Sequence, residues 1–490
     1  MPQSVIIIGG GVAGLSAGCY AQMNGFQSEI HEMHTATGGL CTAWKRNNFT
    51  FDGCLNWLVG SSPKSAMHRL WQEVGAVQGR AFYQYEYLIQ ALDGKDNRLI
   101  AYTDPDRLRE HLISIAPEDA RIIRRITRDI KRLSKRDMPV ELSIANLFRM
   151  IPFIVLFIKY RMPAEELAAR FKSKVLRELF VQAFGWQDMC VSFALWTLAI
   201  MAAGDGGYAI GGSRPLSQAM AERYRSLGGS IYCRSKVEKI LVENDRAVGI
   251  RLAGGKERRA DYVISCADGH ATIFDMLEGR YADNRIRGYY KRLDPFPPLV
   301  YVSLGVAGDY SKEPHSISFQ LKKPFTIGPD EIKHLAVRIW SFDPTMAPRG
   351  KSVVTVMLQT DYDYWDGLRK EHKRYLAEKK RIGKEVIRGI AKLYPKITAQ
   401  VEVIDVATPL TFERYTGNWR GSYEGWIINR KSLGLMLPLN LPGLSNFYMA
   451  GHWVSPGGGL PSGVITARNV VRKMCRREGR PFVTTTSGTR

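Results

Sequence analysis

The 490-residue sequence predicts an α/β fold built from two interleaved domains, and three observations carry that prediction. The chain opens with a β-branched run, a glycine turn and a helical pattern, which is typical of a parallel sheet. Short β-rich runs between residues 298 and 408 predict a second, largely antiparallel sheet. Near its end the chain returns to a strand, a glycine-rich turn and a helix, so we expect both ends of the chain in one domain.

The composition indicates a folded protein with excess positive charge. Hydrophobic residues make up 45% and charged residues 24% of the chain, which excludes a disordered or fibrous protein. The 69 Lys and Arg residues outnumber 47 Asp and Glu, and the net charge of +22 favours an anionic partner. Seven cysteines without a C-x-x-C pair indicate neither a disulfide framework nor a zinc site, and they predict a cytoplasmic protein.

The first motif joins a strand to a helix through closely spaced glycines. Residues 5–8 form a β-branched run, and Gly9-x-Gly11-x-x-Gly14 follows at the start of a helical pattern. Backbone N–H groups and the positive end of such a helix hold a pyrophosphate without an intervening side chain. Glu32 ends the next extended segment, where a carboxylate accepts hydrogen bonds from ribose hydroxyls. Together these residues predict a dinucleotide site.

Two further segments identify the dinucleotide by resemblance. Residues 37–53, with Gly38-Gly39, resemble the second glycine motif of glutathione-reductase-like FAD enzymes, and residues 446–463 resemble their final flavin motif. With the first motif they resemble, over most of the chain, the phytoene desaturase and carotenoid isomerase branch of the flavin amine oxidase superfamily, which includes relatives of retinol saturase. The resemblance implies a Rossmann-like FAD-binding domain of glutathione-reductase type, interleaved with an α+β substrate domain.

The same resemblance implies domain boundaries. The FAD-binding domain is expected to use residues 1–65, 205–275 and 430–482. The substrate domain is expected to use residues 66–204 and 276–429. The polar segment 483–490 is predicted to be a disordered tail.

By resemblance, the FAD contacts come from the three glycine motifs and from Val237, whose backbone is expected to meet adenine. The full set is Gly9, Gly11, Val12, Ala13, Gly14, Glu32, Gly38, Gly39, Leu40, Val237, Gly451, Pro456, Gly458, Gly459, Leu460 and Ser462. Leu40 stands where many members have Arg, and His452 stands where related motifs have Asp. Ser462 is a candidate helix N-cap, and the helix that it introduces would stabilise negative charge on reduced flavin.

An aromatic segment at residues 411–426 precedes the final motif, and the resemblance places this region beside the isoalloxazine. The residues expected near the substrate are Asn56, Trp57, Tyr415, Trp419 and Trp426. An aromatic core turn is the alternative interpretation of residues 411–426. No catalytic residue is assigned. The chemistry that the resemblance implies is hydride transfer to or from flavin, and no side chain in the sequence stands out as a general base. The histidines show no metal-ligand spacing.

Residues 121–161 are predicted to contact an anionic membrane surface. A basic amphipathic helix at 121–133 precedes the apolar run 151–158, which is shorter than the ~20 residues that span a bilayer. Cations at the headgroups and apolar side chains below them would let a lipophilic substrate leave the bilayer directly. A solvated helix beside a core helix is the alternative. Nucleic acid is not expected, because no binding module accompanies the basic residues.

We therefore expect an FAD-dependent oxidoreductase that desaturates a lipophilic polyene or isoprenoid by hydride transfer to flavin. The alternatives are a double-bond reductase similar to retinol saturase, a redox-neutral isomerase that uses reduced FAD, and a flavin amine oxidase. An alternative from another class is a prenyl-lipid escort protein, which shares the fold but binds no flavin. The electron acceptor stays unassigned, because nothing resembles a second nucleotide site.

Overall fold

A computed structural model describes residues 2–95, 97–141, 144–186 and 188–484. The strands in chain order are β1 Ser4–Ile8, β2 Gln27–His31, β3 Ala43–Arg46, β4 Phe49–Asp52, β5 Phe82–Tyr83, β6 Tyr87–Leu92, β7 Arg98–Tyr102, β8 Tyr208–Ala209, β9 Ser230–Tyr232, β10 Val237–Glu243, β11 Arg246–Leu252, β12 Glu257–Arg259, β13 Tyr262–Ser265, β14 Leu299–Val306, β15 Ser316–Ile327, β16 Asp330–Ile339, β17 Ser352–Gln359, β18 Val401–Ala407 and β19 Phe447–Met449.

The α-helices in chain order are α1 Val12–Met23, α2 Ala66–Glu73, α3 Pro105–Ile115, α4 Ala120–Leu133, α5 Ile144–Lys159, α6 Ala164–Ala168, α7 Lys174–Phe184, α8 Val191–Ala202, α9 Ser213–Ser226, α10 Asn284–Arg292, α11 Tyr362–Gly367, α12 His372–Ile390, α13 Ile397–Gln400, α14 Pro409–Thr416 and α15 Gly459–Arg477.

A five-stranded parallel sheet gathers strands from three separate stretches of the chain. Its order is β19-β13-β1-β2-β9. The central strand β1 is apolar on both faces because both faces are covered. Val5 and Ile7 pack into the core shared with α1, α9 and α15, whereas Ile6 and Ile8 pack into the core on the side of β10 and β11. The parallel sheet expected from the opening segment is therefore confirmed.

The second sheet is mixed and has seven strands in the order β18-β14-β17-β16-β15-β6-β7. Its neighbouring strands are antiparallel except β6 and β15, which are parallel. All eight residues of β14 are buried, and α12 packs Ile382, Val386 and Ile390 into the same core. The prediction of a largely antiparallel second sheet is confirmed.

A third core belongs to the helices between β7 and β8. In α4 the isoleucines Ile123, Ile126 and Ile130 are buried while the arginines point outward, as the amphipathic pattern predicts. The apolar run predicted at 151–158 lies within α5, which packs Phe153 and Leu156 into this core. Within the described ranges, every helix is too short or too polar to cross a membrane.

The C-terminal segment after α15 returns to the parallel domain. Val483 donates its backbone N–H to the Asn24 side chain at 2.8 Å and accepts a hydrogen bond from the same amide at 2.8 Å. The predicted disordered tail at 483–490 thus begins on a residue held by the end of α1, and residues 485–490 lie outside the described residues.

Candidate active site

A cavity of about 1560 Å³ is lined from both sheets and by helices α5, α7 and α8. Pockets for a single small ligand have volumes of roughly 300–1000 Å³. The cavity therefore has room for an extended cofactor and for a second molecule beside it. Its polar end lies at the glycine motifs of the parallel sheet, and its other end has apolar and aromatic walls.

The turn from β1 to α1 forms the floor of the polar end. Gly9 has a φ of +95°, which side chains rarely adopt. A Cβ at Gly14 would lie 1.9 Å from the carbonyl oxygen of Gly9, so this glycine allows α1 to pack against the strand. A Cβ at Gly11 would meet no described protein atom closer than 3.9 Å. Gly11 therefore keeps open the space that a bound pyrophosphate needs.

The N-terminus of α1 faces this space without a capping side chain from the described residues. Its first N–H groups are thus available to an anion, and the helix dipole favours negative charge there. The second glycine motif packs against the same turn, since the Gly38 N–H donates to the Gly10 carbonyl at 2.9 Å. A Cβ at Gly39 would lie 3.2 Å from the Cα of Gly11. Close contact between the two turns therefore depends on glycine.

Glu32 follows β2 and is only 6% exposed at the cavity wall. One carboxylate oxygen accepts the Gly10 N–H and the other accepts the His34 N–H, both at 2.7 Å. These two bonds fix the carboxylate beside the glycine turn, which is the position that a ribose-binding acid requires. Val237, at the start of β10, lines the same end of the cavity.

The final motif brings a second helix N-terminus to the cavity. Helix α15 begins at Gly459 with Gly458 as its N-cap and no capping side chain among the described residues. The Gly451 N–H donates to Thr466 Oγ1 at 2.8 Å, which ties the motif to the helix. The expectation that Ser462 caps the helix is wrong: its hydroxyl lies one turn inside α15 and donates to the Gly459 carbonyl at 2.8 Å.

Almost all residues expected to bind FAD line this cavity. Gly14 lies behind the turn, where it has the packing role described above. The residues that line the cavity are Gly9, Gly11, Val12, Ala13, Glu32, Gly38, Gly39, Leu40, Val237, Gly451, Pro456, Gly458, Gly459, Leu460 and Ser462.

The residues expected near the substrate divide into two groups. Asn56, Trp57 and Tyr415 line the cavity, and Tyr415 lies edge-on to His34, beside the Glu32 end.

Trp419 and Trp426 do not line the cavity. Trp419 stacks on His270 with ring centroids 5.0 Å apart, and Trp426 is fully buried and donates its indole N–H to the Trp453 carbonyl. For these two residues the structure favours the aromatic core turn, because neighbouring rings already cover their faces.

The apolar wall of the cavity was missed by the sequence analysis. Phe193 and Trp196, on one face of helix α8, line the cavity. Phe157 of α5 and Phe184 of α7 complete this wall together with Trp186. In the sequence these aromatics stand at apolar positions of helices. An apolar position that packs in the core and one that lines a cavity have the same sequence pattern, so the sequence does not distinguish them.

Arg338 and Glu424 are two ionisable residues in this wall, and neither was expected from the sequence. The Arg338 guanidinium lies 3.2 Å from the Tyr85 hydroxyl and over the Trp340 ring. Glu424 is one of two acids, with Glu413, in the aromatic segment 411–426, and the sequence does not distinguish them. Burial raises the pKa of its carboxyl to about 8, so Glu424 is protonated at neutral pH.

Two further titratable side chains line the cavity. Burial raises the pKa of Asp268 to about 7, and its oxygens accept the Ala271 and Trp419 N–H groups at 2.8 Å. Burial lowers the pKa of His452 to about 4, so the imidazole is neutral. His452 Nε2 is buried and has no hydrogen-bond partner among the residues described. Thus His452 does not supply the negative charge of the Asp that it replaces.

These features fit FAD. The open space at Gly11 and the uncapped α1 terminus suit a pyrophosphate, Glu32 suits a ribose, and the α15 terminus suits the electron-rich pyrimidine of a reduced flavin. A doubly covered parallel sheet with these sites, joined to a mixed sheet across an apolar cavity, defines a two-domain FAD-dependent oxidoreductase.

The chain belongs to the flavin containing amine oxidoreductase family, whose model matches residues 12–475. It is similar to prolycopene isomerase 1 from the chloroplast of an Oncidium hybrid cultivar, with 24% identity over 492 residues, 95% of this chain and 83% of the relative. It is also similar to 4,4'-diaponeurosporene oxygenase of Staphylococcus aureus, with 22% identity over 98% of this chain and 99% of the relative.

Among solved structures, an oxidoreductase from Methanosarcina mazei resembles the chain with a TM-score of 0.61 and 17% identity. The match covers 96% of this chain and all of that one, and it shows a shared fold. The family match and the fold together confirm the resemblance stated from the glycine motifs and the FAD cofactor inferred from it.

Proposed function

We propose that this FAD-dependent oxidoreductase acts on a long lipophilic polyene by hydride exchange with the flavin, with desaturation as the first candidate reaction. The observation that carries the proposal is the shape of the cavity. It continues from the flavin motifs into a space walled by aromatic side chains of α5, α7 and α8. Burial of a polyene against such walls is favourable, at roughly 25 cal/mol per Å² of apolar surface.

The names of the relatives support the same substrate class. One relative isomerises prolycopene and another oxygenates 4,4'-diaponeurosporene. An apolar wall accommodates the substrate of a desaturase, a reductase or an isomerase equally well, so double-bond reduction and redox-neutral isomerisation remain the alternative reactions.

We further propose that α5 rests on an anionic membrane. Its outer face is apolar, and the exposed fractions are 60% for Leu147, 68% for Phe148, 49% for Ile151, 43% for Ile154, 55% for Val155 and 56% for Ile158. Phe157 on the opposite face lines the cavity. One helix therefore separates the cavity from the proposed membrane, which supports a short route for an apolar substrate.

The charges around α5 support an anionic lipid as the partner. Residues 120–161 carry eleven Lys and Arg against three Asp and Glu. Lys159 pairs with Asp129 of α4, which fixes the C-terminal end of α5 against the basic helix. Exposed cations beside an apolar helix face are typical of peripheral membrane binding.

A flavin amine oxidase is the second candidate, because Glu424 would pair with a substrate ammonium inside the aromatic cavity. The observation that favours this candidate is that Glu424 has no cationic partner among the described residues. Against this candidate, the other charged residue named in this wall, Arg338, is a cation and would repel an ammonium group.

The test is the visible spectrum of the purified holoprotein under anaerobic addition of phytoene, prolycopene or putrescine. We expect phytoene to bleach the flavin. Conversion of prolycopene only after photoreduction of the flavin would indicate reductase or isomerase chemistry. Bleaching by putrescine alone would overturn the proposal in favour of the amine oxidase.

A variant links the result to the cavity. Ala194 of α8 lines the apolar wall, so Ala194→Trp fills part of it without touching the glycine motifs. We expect Ala194→Trp to retain FAD and to react with the polyene at least ~10-fold more slowly, since a filled pocket excludes the substrate. The matched control is Ala169→Trp, at an exposed position that does not line the cavity. Equal rates for both variants would contradict the assignment of this wall.

A further inference from the structure

Glu424 lies in the cavity wall against the first residues of α15. A Cβ at Gly458 would lie 2.6 Å from Glu424 Cγ, and a Cβ at Gly459 would lie 3.4 Å from its Oε1. The two glycines thus leave the room that the glutamate occupies. Because its side chain also lines the cavity, the carboxyl stands between the start of α15 and the cavity interior.

The Glu424 carboxyl makes no hydrogen bond or ion pair with the residues that the structure describes. Glu413, another glutamate of the cavity wall, pairs with Arg369 at 2.8 Å. A glutamate with a purely structural role is expected to have such a partner, because an unpaired buried polar group is costly. The half-buried Glu424 carboxyl faces the cavity, so a ligand or a substrate in the cavity is the partner available to it.

The groups that face Glu424 do not stabilise a negative charge on it. From its own segment the neighbour is the Tyr423 phenol, and from the loop after β4 it is the Cys54 thiol. His452, whose ring lies against Gly425, is neutral, and Gly458 and Gly459 carry no side chain. Burial raises the pKa of Glu424 to about 8, and the carboxyl therefore holds a proton at neutral pH.

We propose that Glu424 is the acid that delivers a proton to a polyene carbon in the cavity and, as a carboxylate, removes a proton from the same carbon. This inference rests on the proposed function, and it adds a residue that acts on the proposed polyene substrate. A buried acid kept neutral by its surroundings is a recurrent way to hold a transferable proton near neutral pH.

The proton step balances without an external reactant. The Glu424 O–H bond breaks, the π electron pair of one double bond forms a new C–H bond, and the adjoining carbon becomes electron-deficient. In isomerisation, the chain rotates about the former double bond, the carboxylate removes either hydrogen of the new CH2 group as a proton, and no electrons are exchanged overall. In reduction, the electron-deficient carbon would take the hydride that a bound reduced flavin supplies, and Glu424 would regain a proton from solvent.

The first test asks whether the acid is protonated and does not depend on activity. The infrared spectrum of the wild-type holoprotein at pH 7 is compared with that of Glu424→Gln, and of Glu402→Gln as a control at a surface ion pair. We expect the protonated carboxylic carbonyl absorption to decrease in Glu424→Gln but not in Glu402→Gln, and the part that is lost to titrate with a midpoint near pH 8. Asp268 contributes equally to all three spectra. A spectrum unchanged by Glu424→Gln would overturn the proposal.

The second test follows the proton. Photoreduced wild-type holoprotein is incubated with prolycopene in D2O, and deuterium is measured in the recovered polyene. We expect deuterium uptake to fall roughly 100-fold in Glu424→Gln, the usual size of a lost acid catalyst, and to be partly restored in Glu424→Asp.

The two possible failures are distinguishable. If the wild type leaves both phytoene and prolycopene unchanged, the proposed function fails. If the wild type changes a polyene and Glu424→Gln does so with the same rate and deuterium uptake, only the role of Glu424 is overturned.

Discussion

Glu32 and Glu424 show how two copies of one side chain acquire different tasks within one cavity. Glu32 accepts two backbone N–H groups, so it is held rigidly as a hydrogen-bond acceptor at the end of the cavity where we expect the ribose. Glu424 has no donor among the described residues and lies among aromatic rings and glycines. The first environment suits recognition of hydroxyl groups, whereas the second suits storage of a proton.

Burial of Glu424 predicts an unusual pH dependence of stability. Burial raises the pKa of the carboxyl from its ordinary value of 4.5 to about 8, so the folded state keeps a proton that the unfolded chain has lost. The contribution of this carboxyl to the free energy of unfolding therefore falls as pH rises from 4.5 to 8, by at most about 1.4 kcal/mol per pH unit.

Glu424→Gln removes this dependence, because an amide does not titrate. We expect the Tm of the Glu424→Gln holoprotein, relative to wild type, to increase steadily between pH 5 and pH 8. Thermal unfolding at several pH values measures this difference, with Glu402→Gln as the control that follows wild type. Parallel curves for wild type and Glu424→Gln would show that the carboxyl is solvated.

At the scale of elements, two glycines of the turn between β1 and α1 meet two different requirements. Gly14 is needed for the helix to approach the strand, and Gly11 is needed for a ligand to approach the helix. Gly11 has an ordinary φ of −73°, which alanine adopts readily. Its conformation therefore does not explain the glycine, and the open space beside it does.

The pair Gly11→Ala and Gly14→Ala tests this separation. Gly11→Ala is expected to leave the Tm of the apoprotein within a few degrees of wild type but to lose most bound FAD. Gly14→Ala places a Cβ 1.9 Å from a carbonyl oxygen, so we expect a loss of about 2 kcal/mol or more of folding stability. Flavin content per protein and apoprotein unfolding together distinguish the two. Full FAD occupancy in Gly11→Ala would contradict the proposed pyrophosphate position.

The elements that could be predicted from sequence are those whose cause is local. The β1 turn, Glu32 and α4 follow from glycine spacing, strand length and amphipathic period, and the structure contains each of them. Ser462 was assigned wrongly because α15 begins at Gly459, and glycine at the start of a helix gives no capping signal.

The remaining parts of the site depend on contacts between distant segments. The aromatic order of residues 415–426 does not reveal which rings face the cavity, and Trp419 and Trp426 instead join His270 and Trp453. Glu424 became recognisable only when its segment was seen to pack against α15.

At the scale of the whole molecule, the cavity, α5 and the net charge form one arrangement. The flavin motifs stand at one end of the cavity, and the helix with the apolar outer face stands at its wall. About a third of the excess positive charge comes from residues 120–161, around that helix. Orientation of this face toward an anionic bilayer would follow from both the charge and the apolar surface.

Vesicle binding tests this arrangement. We expect the wild-type holoprotein to bind vesicles containing phosphatidylglycerol and to bind neutral phosphatidylcholine vesicles less tightly. Binding should weaken as salt rises from 0.1 to 1 M, because the Debye length falls from about 10 to 3 Å. Contact of the apolar face should leave a residual, salt-resistant part of the binding.

The outer face of α5 is tested by Ile151→Asp/Val155→Asp. Each half-exposed side chain contributes about 1 kcal/mol of burial, so we expect vesicle affinity to fall at least ~10-fold while FAD content is unchanged. Ile404→Asp is the matched control, since Ile404 is also apolar and 48% exposed but lies on β18. Sedimentation with vesicles measures all three proteins. If Ile404→Asp loses as much binding as the α5 variant, or if the α5 variant binds like wild type, α5 is not the membrane contact.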